Sequence, residues 1–209
     1  MVTALQGSLL DLCDEPAPGP LGGTVHRTML SHGAWVDIRP GWMAGAGVLF
    51  DRLRQVVPWR EERRRMYERV VDVPRLLCFY AEGEQLPDSA LDRARQALDA
   101  HYWPELGEPL VTAGLCLYRD GQDSVAWHGD RNRHTHHNPL VATVSLGARR
   151  RFRLRPVGGR PTLELRPGHG DLVVMGGACQ HEWEHTVPKE AAPAGPRMSI
   201  TLRHSAQLG

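Results

Sequence analysis

Residues 151–175 read RFRLRPVGGRPTLELRPGHGDLVVM, and the alternation in this stretch decides the fold class. Phe152 and Leu154 alternate with Arg151, Arg153 and Arg155, and Leu163 and Leu165 alternate with Thr162, Glu164 and Arg166. A period of two is the strand period, so each segment has one apolar face and one wet face. The run from Asp171 to Met175 has no such alternation and reads as a buried strand entering a glycine turn at Gly176-Gly177. Outward from this stretch short strand-like segments recur from Gly114 to the C-terminal third, at 115–119, 124–128, 140–146, 151–155, 162–166, 171–175, 183–187 and 198–203. Short strands separated by turn residues over about ninety positions predict a sandwich or a barrel.

Upstream of Gly114 the period is close to 3.6. Val48, Leu49, Phe50, Leu53, Val56 and Val57 recur at helical spacing between residues 44 and 57, and Pro58 stops the pattern. A second helix is predicted where Ser89 can cap the start, Leu91, Ala94, Leu98 and Tyr102 line one face, and Pro104 follows the end. Pro16, Pro18, Pro20, Gly22 and Gly23 make residues 1–23 an irregular arm. The expected organisation is that arm, then a single domain over 24–209, of α+β class and mainly β. Its helical front half, 24–113, packs on an all-β back half, 114–209.

Composition narrows the function. The 209 residues carry a formal net charge of +1, and Lys189 is the only lysine among 25 basic residues. Such a balance does not demand a nucleic-acid partner, so any binding to phosphate would have to come from local arginine patches. Four cysteines without CxxC pairing argue against a disulfide scaffold or a zinc ribbon, and a reducing, cytoplasmic setting is expected. No apolar run approaches the roughly 18 residues of a membrane span, and the N-terminus lacks a signal-peptide pattern. No heptad pattern is seen, and a monomer is expected.

Seven of the eleven histidines lie between His128 and His185. In Trp127-His128-Gly129-Asp130, residues i and i+2 of an extended segment point to one side and can reach one ion. Two histidines and one carboxylate leave a metal's opposite face open, the arrangement suited to non-haem Fe(II) with a co-substrate and dioxygen. His134, His136 and His137 read either as a metal-binding loop or as solvated loop histidines. In the last strand Arg197, Ser199, Thr201 and Arg203 share one face. Two arginines six residues apart suit a dicarboxylic acid, or else are exposed charges on an edge strand.

The ordered set is similar to the AlkB family of Fe(II)- and 2-oxoglutarate-dependent dioxygenases, which repair alkylated nucleobases by oxidative dealkylation. The resemblance rests on Leu117-Tyr118-Arg119-Asp120-Gly121, His128-x-Asp130, Val144-Ser145-Leu146-Gly147, Gly170-Asp171-Leu172, Trp183-Glu184-His185 and the terminal Arg-x5-Arg strand. It implies a double-stranded β-helix, or jelly roll, with iron held by His128, Asp130 and His185; His181, four residues earlier, would stand behind the ligands or at the surface. It also implies that Tyr118 and Arg197 hold the distal carboxylate of 2-oxoglutarate, with Arg203 near the iron-chelating end, and O2 as second co-substrate.

Two departures stand out. Cys116 occupies the place where relatives usually have asparagine, and Arg131, Asn132 and Arg133 follow Asp130 where base-repair enzymes commonly have acidic residues. The front half loosely resembles a nucleotide-recognition region. Arg75 there offers a phosphate contact, and Phe79 with Tyr80 offers a stacking platform or ordinary core. Arg75, Tyr80, Arg131 and Arg155 are the expected substrate contacts, and the expected partner is alkylated DNA or RNA, single-stranded or with a flipped base. The alternatives are a dioxygenase acting on a protein side chain or small metabolite, favoured by Arg131 and Asn132, and a non-catalytic jelly-roll binding module.

Overall fold

The computed structural model describes residues 15–66, 69–129, 139–191 and 194–204. In chain order the strands are β1 (Ala17–Pro18), β2 (His26–Met29), β3 (Trp35–Arg39), β4 (Met43–Ala44), β5 (Arg60–Met66), β6 (Arg69–Tyr80), β7 (Thr112–Tyr118), β8 (Val125–His128), β9 (Val141–Gly147), β10 (Phe152–Pro156), β11 (Leu163–Leu165), β12 (Asp171–Gly176), β13 (Trp183–Val187) and β14 (Arg197–Arg203). Three helices, α1 (Ala46–Val56), α2 (Ser89–Leu106) and the short α3 (Cys179–Glu182), accompany them. A large antiparallel sheet runs β2-β3-β12-β9-β14-β7-β6-β5, and a smaller one runs β11-β10-β13-β8.

The two faces of the large sheet follow from strand alternation. Ala142, Val144 and Leu146 of β9 and Met198, Ile200 and Leu202 of β14 pack with Leu49, Phe50 and Leu53 of α1 and Leu91, Ala94 and Leu98 of α2. The opposite face of the large sheet meets the small sheet, where Tyr118 of β7, Val141 of β9 and Val173 and Met175 of β12 pack with Phe152, Leu154, Trp183 and Val187. The result is two sheets face to face with helices bracing the outer side of the larger one, the jelly-roll arrangement.

All eight strands expected after Gly114 form, with ends shifted by a few residues at most. The front half is less helical than its periodicity predicts, because β2, β3, β5 and β6 extend the large sheet. β2 is exposed at every position and β5 reads REERRRM, so neither carries an apolar alternation of its own. Such edge strands are held by backbone bonds to a neighbour and leave little pattern in the sequence.

The helices also differ in detail. Val56 lies off the buried face of α1 and is 58% exposed. Asp88, not Ser89, caps α2, its carboxylate accepting from the Ala90 N–H at 2.8 Å. Pro104 lies inside α2, which ends only at Gly107, where φ is 65° and the N–H bonds the Trp103 carbonyl. Of the expected arm, residues 1–14 lie outside the described residues. Residues 17–18 pair with β4, and Trp42 Nε1 donates to the Gly19 carbonyl at 2.8 Å.

Candidate active site

The two histidines come from neighbouring strands of the small sheet. His185 on β13 and His128 on β8 are direct cross-strand partners, with ring centroids 4.2 Å apart. His185 is 8% exposed and lies 5.4 Å, ring to ring, from Phe152. Regular alternation would not bring His128 there. Val125 packs into the inner core opposite Val187, and an inward residue three positions later has the wrong parity. A bulge between these two pairs supplies the extra residue and turns His128 inward. The His128 Nδ1 lies 2.9 Å from the Ala126 carbonyl, which can only accept. Nδ1 therefore carries the proton, and the Nε2 lone pair is left for a metal. Asp130, with His134, His136 and His137, lies outside the described residues. Among the described residues no group of three ligand side chains forms a cluster.

A second set of groups lies on the inward face of the large sheet. Arg197 of β14 is the cross-strand partner of Tyr118 on β7, and its guanidinium carbon is 5.1 Å from the Tyr118 ring centre. Arg197 is 1% exposed, and its Nη2 donates to Ser145 Oγ at 2.8 Å. Its Nε and Nη1 are buried with no hydrogen-bond partner among the described residues. Burial pulls the Arg197 pKa down from its ordinary value, opposed by Tyr118 and Cys116. Burial likewise pushes the Tyr118 phenol up. A buried cation with two idle donors is costly until an anion meets it. A carboxylate accepting end-on at Nη1 would meet this charge, so Arg197 with Ser145 and Tyr118 would hold the distal end of a dicarboxylate.

Toward the other end of β14 the row continues through Ser199 and Thr201 to Arg203, with Thr201 and Thr143 hydroxyls 3.2 Å apart. Gly114 makes room for Arg203, since a β-carbon there would stand 3.2 Å from its Nη1. Cys116 faces Ser199 across the β7–β14 ladder and is half-buried.

Above this floor opens a cavity of about 1150 Å³ lined by His128, Cys116, Arg203, Arg75, Phe79 and Tyr80, among others. It thus gathers one expected metal ligand, the second arginine and both front-half substrate residues. Arg75 Nη1 donates to the Ser124 carbonyl at 3.0 Å, so part of this side chain holds the strand entering β8. Burial, with help from Cys78 and Glu84, pushes the Tyr80 phenol up to about 12.

Arg155 is not brought to this cavity. Leu154 is the partner of His185 and faces inward, so its neighbour Arg155 faces outward, where it pairs with Glu184 at 2.8 Å and stacks 4.3 Å from the Trp127 ring centre. The substrate contact expected of Arg155 is therefore corrected to an outer-face ion pair. Arg131 lies outside the described residues. Arg150 escaped the sequence reading: in the run Arg149-Arg150-Arg151 it looks solvated, yet it is 1% exposed. Ser145 had a visible signal: it and Thr143 are the two hydroxyl residues of the otherwise apolar segment 140–146.

A profile of the 2OG-Fe(II) oxygenase superfamily matches residues 44–203. The chain is 30% identical over 209 residues to the bovine (Bos taurus) protein named alpha-ketoglutarate-dependent dioxygenase alkB homolog 3, covering 90% of this chain and 69% of the relative. The human protein of that name is 30% identical over 86% of this chain and 66% of its own. The Arabidopsis thaliana protein named DNA oxidative demethylase ALKBH2 is 28% identical over 74% of this chain and 60% of its own. Among solved structures, a Burkholderia pseudomallei oxidoreductase of the 2OG-Fe(II) oxygenase family superposes with a TM-score of 0.58 at 16% identity, covering 81% of this chain and 84% of that one. The structure of OsALKBH1 superposes with a TM-score of 0.57 at 13% identity, covering 86% of this chain and all of that one. At such identities the likeness concerns the fold.

Proposed function

Because the chain belongs to the AlkB family of 2OG-Fe(II) oxygenases, we propose that it removes N-alkyl groups from nucleic-acid bases, with the two-histidine pair and the buried arginine as its chemical centre. The enzyme is a dioxygenase that uses Fe(II), 2-oxoglutarate and O2. The observations that carry the site assignment are the pairing of His128 with His185 and the buried Arg197, whose Nε and Nη1 lack partners among the described residues.

In this reading His128 and His185 hold the metal, with Asp130 as the third ligand. Bound iron supplies O2 activation and oxidation of the alkyl carbon, which then leaves as an aldehyde. Arg197, Tyr118 and Ser145 grip one carboxylate of the co-substrate deep in the fold, leaving its other end for the histidines. Arg203 adds positive charge at that end. Phe79 and Tyr80 on the cavity wall offer ring faces to a base taken out of its stack, and Arg75 offers a guanidinium to its phosphate. In this reading the chain acts as a monomer on a single-stranded or flipped base.

The test is succinate release from 2-oxoglutarate under air, after anaerobic Fe(II) loading, with and without a methylated single-stranded DNA oligonucleotide. The expected outcome is turnover that rises with the oligonucleotide, removes its methyl group and vanishes in His128→Ala. Turnover indifferent to the oligonucleotide would move the substrate to a protein side chain or metabolite.

A further inference from the structure

Of the strands that carry the site, β8 is the least firmly held. Among the described residues it lies at the edge of the small sheet and pairs with β13 alone, through two residue pairs with a bulge between them. β7, which carries Tyr118, is paired along its length with β14 and over five positions with β6. A short bulged ladder at an edge fixes register weakly. Two histidines that share one ion nevertheless need their spacing held to about half an ångström. Another group must supply that constraint.

We propose that Arg150 is the positioning residue for the His128–His185 pair, because its buried guanidinium ties the turn entering β8 to the segment leaving β13. Its Nη1 donates to the Asp120 carbonyl at 2.7 Å. Its Nη2 donates to the carbonyls of Gly121 at 3.3 Å, Asp123 at 2.8 Å and Pro188 at 2.9 Å. One side chain thus gathers the turn after Tyr118, two residues before β8, and the residue directly after Val187. Glu190 completes the clamp: its N–H donates to the Gly121 carbonyl at 2.9 Å, and its carboxylate lies 3.7 Å from Arg150 Nε. The planar five-donor guanidinium can bridge this many acceptors, whereas lysine has three donors on a flexible stem and methionine none. The inference rests on the proposed iron site and concerns how that site is held.

The experiment titrates metal-free protein with Co2+, whose visible absorption reports coordination, and then measures 2-oxoglutarate affinity at saturating metal. Wild type is compared with R150M, R150K, H128A and R153M; Arg153 pairs with Glu164 on the outer face and serves as control. R150M is expected to bind Co2+ about tenfold or more weaker, with an altered spectrum, as for other groups that orient metal ligands. Its 2-oxoglutarate affinity should fall by clearly less than its Co2+ affinity: Tyr118 and Arg197 are held by full ladders, and Arg150, 5.8 Å from the Tyr118 ring centre, makes no hydrogen bond to either. R150K should fall between, and R153M should match wild type. Wild-type Co2+ affinity and spectrum in R150M would overturn the proposal, as would equal losses of metal and co-substrate affinity. If R150M does not fold, R150K decides by the same readouts. Undiminished Co2+ binding in H128A would overturn the iron site itself, whereas loss in H128A with none in R150M overturns only the clamp.

Discussion

Arg197 enters the interior with two donors idle, and that fact separates stability from activity at a single residue. Replacing a buried, incompletely paired charge by an apolar side chain of similar length is often neutral or stabilising. Arg197→Met is therefore expected to leave the thermal midpoint of the metal-free, ligand-free protein unchanged or raised. The same change removes charge-assisted bonds to the co-substrate, so the KM for 2-oxoglutarate should rise on the order of a hundredfold. Melting curves and KM measurements on the variant check both halves; a lowered midpoint with an unchanged KM would refute the assignment. At this scale the structure places Tyr118 opposite Arg197 and His128 opposite His185, residues that the sequence marked within one ordered set of motifs. The sequence failed for Arg150 and Arg155, two arginines in one charged segment, because only packing decides which of them is buried and which pairs with Glu184.

At the scale of elements, the turn between β7 and β8 behaves as a charged knot. Burial pushes the Asp123 carboxyl up, but hydrogen bonds from the Arg119 side chain and backbone N–H, with the nearby Arg150 charge, more than reverse this and hold it below its ordinary value of 3.8. Glu190 is likewise held below its ordinary 4.5: burial raises it, and bonds from the Arg151 N–H and guanidinium outweigh that. A depressed folded-state pKa contributes stability that is fully present above the unfolded value and is lost as pH falls through the folded one. Metal-free wild type should therefore lose stability below about pH 4. Asp123→Asn should cost on the order of 1–2 kcal/mol at neutral pH, a difference that shrinks toward zero as the acid range is entered. Urea unfolding at pH 7, 5, 4 and 3 measures this, and a difference constant across the series would contradict it. The strands after Gly114 were legible because apolar alternation marks them. β2 and β5 were not, since an edge strand rich in charge is defined by its neighbour's backbone and not by its own pattern.

Over the whole molecule, the net charge of +1 gives little long-range attraction for a polyanion, so binding must depend on a few arginines placed at the cavity. Retention of a methylated single-stranded oligonucleotide should fall with salt at about 0.7 log units per log unit of salt for each phosphate contacted. Arg75→Met is expected to weaken retention for all sequences alike and to reduce that slope by roughly one contact. Filter binding between low and moderate salt provides the measurement; an unchanged slope would mean that Arg75 serves only to hold the Ser124 carbonyl.

The sequence by itself determined the two-layer β architecture, because strand alternation and its turns are local and the apolar period survives in one dimension. Strand spacing by itself showed only which polar groups share a face; the residues proposed for metal and co-substrate came from the resemblance that the ordered motifs carry. The tertiary structure alone decided which side those groups point to and what holds them there. The bulge that turns His128 toward His185, the burial of Arg150 and the outward turn of Arg155 all arise from contacts between residues distant in the chain, whose energies no local pattern records.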